Sequence, residues 1–172
     1  MPLTRVECID CEASGLGPES YPIEIGFAMS DGTTQSYLIK PEPSWTYWDQ
    51  YAEDHIHKIS RKMLDEKGLP AFEVANILNS QLDIVYSDAL SHDLHWIDTL
   101  YDTVGTERKF EVRSIFSELD LHESSIWYDQ RRKLFAQKGQ HRAGLDAWVN
   151  QEAHVLAKDI QAKRVASMLD GD

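Results

Sequence analysis

The chain has little cysteine: among 172 residues only Cys8 and Cys11 carry thiols. A small secreted scaffold stapled by disulfides needs more, so cross-links do not hold this fold. The pair has Cys-x-x-Cys spacing, but residues three apart on a strand point to opposite faces. A structural zinc centre would also need two further ligands at suitable spacing. Both read as ordinary thiols. Long apolar runs are absent too. Nothing approaches the roughly 20 residues that span a bilayer, and the N-terminus lacks a charged start followed by an apolar stretch. These absences predict a soluble, cytoplasmic protein with no membrane partner. Positive charge is short as well: 17 Lys and Arg against 29 Asp and Glu leave a net charge of −12. That balance disfavours broad affinity for duplex nucleic acid. It leaves nucleic acid open as a substrate, because divalent cations cancel charge at an acidic site. Two basic clusters also remain, Lys58, Arg61 and Lys62, then Arg131, Arg132, Lys133, Lys138 and Arg142. Each reads equally well as a solvated helix face. With 42% hydrophobic residues, no internal repeat and no low-complexity linker, residues 1–172 are expected to form a single domain.

What the chain does have begins with a strand and turn, Val6-Glu7-Cys8-Ile9-Asp10-Cys11-Glu12-Ala13-Ser14-Gly15-Leu16-Gly17. Strand side chains alternate, so Asp10 and Glu12 project side by side. Two adjacent carboxylates must be solvated, protonated or bridged by cations, and a hard divalent ion with oxygen ligands answers that need. The solvent face of an edge strand is the plainer alternative. Residues 21–30 read as a second strand, with Ile23, Ile25, Phe27 and Met29 alternating. Asp31-Gly32 marks a hairpin into a third strand over 33–39. Lys40-Pro41-Glu42-Pro43 closes that run. The aromatic stretch holding Trp45, Tyr47, Trp48 and Tyr51 turns helical after Trp48. Ser60 is placed to cap a short helix that Gly68 ends. Residues 70–82 read as a helix with Phe72, Val74, Ile77, Leu78 and Leu82 inward. Residues 84–86 read as a buried strand, 91–103 as a helix and 110–115 as a fifth strand. Helix is expected in the second half of 120–137, with a break at Gly139-Gln140. A long helix or a bent pair follows over 142–169. The alternation implies an α/β layered fold.

Two later acids stand where such folds place chemistry, near the C-terminal ends of strands. Asp93 starts the helix after the fourth strand. Asp146 lies in the first turns of the last helix, five residues after His141. An acid there also stabilises a helix dipole, and a loop histidine is also compatible with simple exposure.

Ile9-Asp10-Cys11-Glu12-Ala13-Ser14-Gly15-Leu16 resembles the first motif of the DEDD superfamily of exonucleases, in the histidine-bearing branch that includes polymerase proofreading subunits. Ile56-His57-Lys58-Ile59-Ser60 resembles that branch's His-Gly-Ile-Thr element. His141-Arg142-Ala143-Gly144-Leu145-Asp146-Ala147 resembles its third motif, a His and an Asp five apart. The second motif departs from the pattern: Asp88-Ala89-Leu90-Ser91-His92-Asp93-Leu94-His95-Trp96-Ile97 lacks the usual His-Asn. Asp93 is the better match to its acid, since Trp96-Ile97 fall where an apolar pair belongs, and Asp88 is the fallback.

The resemblance implies an RNase H-like fold, a mixed five-stranded sheet flanked by helices. It implies a 3′→5′ exonuclease that releases nucleoside 5′-monophosphates from single-stranded DNA or RNA ends. Asp10, Glu12, Asp93 and Asp146 would hold two magnesium or manganese ions, with Asp10 bridging them, and His141 would act as general base. Ala13, Ser14, Gly15 and Leu16 would grip the 3′-terminal nucleotide, with His57 and Ile59 packing on its sugar or base. A catalytically inactive binding member of the fold and an oligoribonuclease-like phosphodiesterase are the rival readings. His55, His92 and His95 read as surface histidines, and a homodimer through the last helix or the Trp-rich segment is open.

Overall fold

The computed structural model describes residues 4–139 and 141–169; Gln140, half of the expected helix break, lies outside them. Five strands form one mixed sheet in the order β3-β2-β1-β4-β5. β1 (Cys8–Ala13), β2 (Pro22–Ala28) and β3 (Thr34–Leu38) pair antiparallel, while β4 (Ile84–Ser87) and β5 (Glu111–Ser114) join in parallel beyond β1. The Asp31-Gly32 turn forms as expected. Gly32 takes φ 84°, and the Asp31 carboxylate accepts from the Thr33 backbone N–H at 2.8 Å. The parallel pairing makes the C-terminal ends of β1 and β4 neighbours at one edge of the sheet.

Side-chain alternation divides the sheet into two cores. Ile9, Ile23, Ile25 and Phe27 face α2 (Arg61–Lys67), α3 (Ala71–Gln81) and α4 (Leu90–Val104), packing with Leu64, Leu78, Ile97 and Leu100. Cys8 and Ala28 face the other way, onto α5 (Leu121–Lys138) and α6 (Ala143–Leu169), with Trp127, Ala147 and Ala153. Each large apolar side chain so buried contributes about 1.5–3 kcal/mol relative to exposure. Cys8 and Cys11 thus enter different cores, as strand geometry requires. The β2 residues under α6 are Glu24, Gly26 and Ala28. A Cβ on Gly26 would collide with the Gly144 backbone, so this glycine lets the helix start directly on the sheet.

Between β3 and α2 lies a single α-turn, α1 (Gln50–Ala52), which widens into a π-type turn over Glu53–His57. Ser60 caps α2, its hydroxyl accepting from the Met63 N–H at 3.1 Å. Three expectations change. Phe72 is 54% exposed, and α3 turns Ala71, Val74, Ala75 and Leu78 inward instead. α5 is helical throughout, because Asp120 and Glu123 form a reciprocal capping box at its start. α6 is one continuous helix rather than a bent pair. Among the described residues no helix is long and apolar enough to cross a membrane.

Candidate active site

β1 carries Asp10 and Glu12 on the face that also bears Cys8, and they end where α6 begins. Glu12 is 7% exposed, so the edge-strand alternative fails: this face is covered. A cleft of about 370 Å³ opens there. Asp10, Glu12, Asp88, Asp93, His141 and Asp146 all line it, with Arg131 on one side and Leu16, Ile56 and Trp96 as its apolar wall.

Both second-motif acids reach the cleft, by different means. Asp93, in the first turn of α4 and 1% exposed, accepts from the Cys11 backbone N–H at 3.1 Å and from the Ser87 hydroxyl. Asp88, just past β4, accepts from the Arg131 guanidinium at 2.8 Å and the Asn150 amide at 2.7 Å. The acids form two groups, Asp10 with Asp88 and Asp93, and Glu12 with His141 and Asp146. Within each group, one potential ligand atom per residue lies within 4.8 Å of the others.

This crowding works against ionisation. Burial, then the charges of Asp146, Glu24 and Asp93, push Glu12 up to about 8, against a smaller opposing pull from Arg142. Asp93 rises to about 7 through burial and Asp88, despite the hydrogen bonds from Ser87 and Cys11. Burial raises Asp146 to about 6, against hydrogen bonds from the backbones of His141 and Arg142. Burial, followed by Asp93 and Asp146, holds Asp10 well above the carboxylate range. Hard divalent cations would reverse these costs, and the donor set is all oxygen apart from one imidazole. Asp146 supplies a specific fit: Oδ1 is buried with no hydrogen-bond partner among the described residues, while Oδ2 accepts from the His141 backbone N–H at 3.1 Å.

His141 sits two residues before α6 with φ 65°. Behind it, the Ala143 N–H donates to Glu24 at 3.0 Å, and Arg142 donates twice to the same carboxylate. Burial and the charge of Arg131 lower the His141 pKa, which favours the neutral imidazole.

The residues expected to grip a chain end do not all meet. Ala13, Gly15 and Leu16 line a narrow hollow of about 60 Å³ with Ile56, His57 and Trp96, next to Glu12. Leu16 stands 73% exposed at its rim. Ser14 is turned inward, its hydroxyl accepting from the Tyr21 N–H at 3.2 Å. Gly15 is required by space, since a Cβ would press on the Tyr47 ring and Asp49. His57 Nδ1 accepts from the Ile59 N–H at 3.0 Å, which places the ring proton on Nε2; among the described residues that atom has no partner. Ile59 is 1% exposed in the core rather than on the hollow, and Ile56 takes the lining position. Lys58, where the resembling motif has glycine, adopts the left-handed conformation, φ 58° and ψ 22°. His55, His92 and His95 are exposed, and His92 stands on the cleft wall.

Sequence reasoning passed over Glu24, Ser87 and Asn150. Asn150 had a signal, lying four residues after Asp146 and so on the same helix face. Glu24 had only a weak one, an acid between two isoleucines.

No protein-family model and no curated protein matches the sequence. Solved structures do match the fold. Exonuclease I of E. coli, in complex with a dT13 oligonucleotide, superposes with a TM-score of 0.68 at 11% identity, over 97% of this chain and 44% of that one. An apo exonuclease I gives 0.66 at 11% identity, over 91% and 42%. The moderately thermophilic exonuclease I from Methylocaldum szegediense gives 0.67 at 14%, over 94% and 42%. The chain therefore spans less than half the length of these proteins, and at such identities the likeness establishes the fold alone: the mixed five-stranded, RNase H-like α/β sheet with flanking helices.

Proposed function

We propose that the protein is a divalent-metal-dependent 3′→5′ exonuclease of the histidine-bearing DEDD type, acting on single-stranded DNA or RNA. The observation that carries this reading is the convergence of four carboxylates and His141 at the end of β1. The likeness to exonuclease I, one example of which was solved with an oligonucleotide, supports it. Asp10, Glu12, Asp93 and Asp146 would hold two magnesium or manganese ions. Such ions, when bound, acidify a water and offset charge on the attacking and leaving oxygens of a phosphodiester.

The chain's own residues do the rest. The His141 ring, neutral at physiological pH, takes a proton from the attacking water as its oxygen bonds to phosphorus. The P–O3′ bond breaks and the departing O3′ takes a proton from solvent, leaving a nucleoside 5′-monophosphate and a shortened strand with a free 3′-hydroxyl. Asp146 fixes the backbone of His141 through its N–H, and Glu24 fixes the turn that follows. Leu16, Ile56 and Trp96 shape an apolar wall for the terminal base. The unpartnered His57 Nε2–H supplies a hydrogen bond to the terminal nucleotide.

The test is digestion of 5′-labelled single-stranded DNA and RNA with magnesium, manganese or EDTA. A ladder shortening from the 3′ end, abolished by EDTA and by a blocking 3′-phosphate, is expected. Binding without cleavage in every condition would overturn the enzymatic reading in favour of a binding member of the fold.

A further inference from the structure

Arg131 has two sides. One lines the cleft, where its guanidinium holds Asp88. The other lines a separate groove of about 540 Å³ along α5, formed with Tyr128, Arg132 and Phe135. Groove and cleft thus lie on either side of one shared side chain, and Arg131 is the residue that lines both. We infer that this face of α5 is a track for the single strand upstream of the bond being cut, an assignment that rests on the exonuclease reading.

The groove combines the two elements that sequence-independent single-strand sites use, flat aromatic faces and cations. Tyr128 stacks on Phe116 with ring centroids 5.4 Å apart and planes 24° apart. Trp127 packs against the same ring at 5.0 Å, yet the residue remains 58% exposed, so the open part of the ring is offered with its orientation already fixed. Arg131 lies over Phe135 at 4.6 Å and over Trp127 at 5.4 Å, which orients the guanidinium between cleft and groove. Arg132 on the groove and Lys133, which lines the neighbouring hollow round α5, share a single counter-charge, Asp129, leaving a surplus cation on this helix in a protein whose net charge is −12. That local excess is complementary to phosphates, and the bulk charge repels them elsewhere. Tyr128 and Phe135 are seven residues apart, about 10 Å along a helix. That is the length of about three stacked nucleotides at 3.4 Å each.

The experiment is fluorescence anisotropy in EDTA with 5′-labelled oligothymidylates of two, four, six, twelve and twenty nucleotides, paired with their magnesium-dependent hydrolysis. Affinity should climb about tenfold or more between two and about six nucleotides and then level. Tyr128→Ala and Arg132→Ser should remove most of that climb, and the ratio of kcat/KM for the hexamer over the dimer should fall by about tenfold. Arg132→Ser should also reduce the slope of log affinity against log salt by about 0.7, the value for one phosphate contact on a single strand. Lys163→Ser, which removes an exposed cation from α6, should leave the climb intact. Both test positions are exposed, and unchanged thermal melts confirm that their variants fold. Hydrolysis that depends on length but not on Tyr128 or Arg132 overturns the track while leaving the exonuclease reading standing. Binding that depends on both residues, without hydrolysis of any oligonucleotide, keeps the track and removes the exonuclease reading. A concentration-dependent dimer that Tyr128→Ala abolishes, with oligonucleotide binding unchanged, overturns the track and assigns this face to a second copy of the chain.

Discussion

Glu24, 1% exposed on β2, holds Arg142 at two points, 3.0 Å at Nε and 2.8 Å at Nη2. The same carboxylate accepts from the Ala143 N–H. One buried acid therefore ties the first turn of α6, and with it His141 and Asp146, to the sheet strand paired with β1. Removing the charge while keeping the shape should loosen this tie. Glu24→Gln is expected to cost about 2 kcal/mol, the scale of hydrogen bonds to a charged group. That corresponds to a Tm lower by about 4–8 °C. Hydrolysis should drop about tenfold, mostly in kcat, because the effect reaches the chemistry through His141. Denaturation curves and steady-state kinetics check both.

The site acids predict how metal-free stability depends on pH. Folding raises Glu12 to about 8, Asp93 to about 7 and Asp146 to about 6. A group raised on folding contributes stability fully below its unfolded pKa and loses it as pH rises through the folded value. In EDTA, Tm should therefore fall as pH rises from about 6.5 to 8.5, the range in which Asp93 and Glu12 are forced to ionise. Manganese should flatten this alkaline decline, because it binds the ionised acids. The buried His57 and His154 and the half-buried His141 act in the opposite sense, losing stability as pH drops below about 6.5. Only the alkaline arm should respond to manganese. Thermal melts across pH, with and without the ion, make the comparison.

Asp88 and Asp93 share the cleft but not its chemistry. Asp88 is already matched by a full positive charge on Arg131 and by Asn150, whereas Asp93 accepts from Cys11 and the Ser87 hydroxyl, which are neutral, and it stays costly to ionise. Asp93→Asn should lower hydrolysis by at least about a hundredfold, the scale of losing a group that stabilises the reacting charge. Asp88→Asn should lower it about tenfold, through Arg131. Parallel rate measurements decide, and the reverse ranking would make Asp88 the metal-holding acid.

Lys58 carries backbone strain that glycine would relieve. An L-residue at φ 58° costs about 1–2 kcal/mol relative to ordinary helical geometry. Lys58→Gly should raise Tm by about 2–4 °C, less any entropy glycine returns to the unfolded chain, with hydrolysis of a dinucleotide within about twofold of the parent. A differential scanning calorimetry trace paired with an activity assay reads both quantities.

Much of this architecture was legible because its signals are local. Alternation placed Asp10 and Glu12 on one face. Asp31-Gly32 named the hairpin, and Ser60 named a helix start. The five-residue spacing from His141 to Asp146 put both at one helix end. What was illegible is long-range. Nothing near Glu24 says that a helix from the other end of the chain will cover it, although Gly26 and Ala28 beside it are the small residues such close packing needs. The inward face of α3 went to Ala71 and Ala75 rather than Phe72, because helix packing rewarded fit over hydrophobicity. The α5 capping box is present in the sequence as Asp120-x-x-Glu123, but no apolar run follows it to mark a helix start.

The measurement that tests the central claim most directly is titration of Mn²⁺ into the protein at pH 8, with free ion followed by electron paramagnetic resonance. Two bound ions per chain are predicted, with Asp10→Asn losing at least one and Asp93→Asn weakened in parallel. A protein that binds no Mn²⁺ at millimolar concentration, or that binds it equally well as Asp10→Asn, would contradict the account.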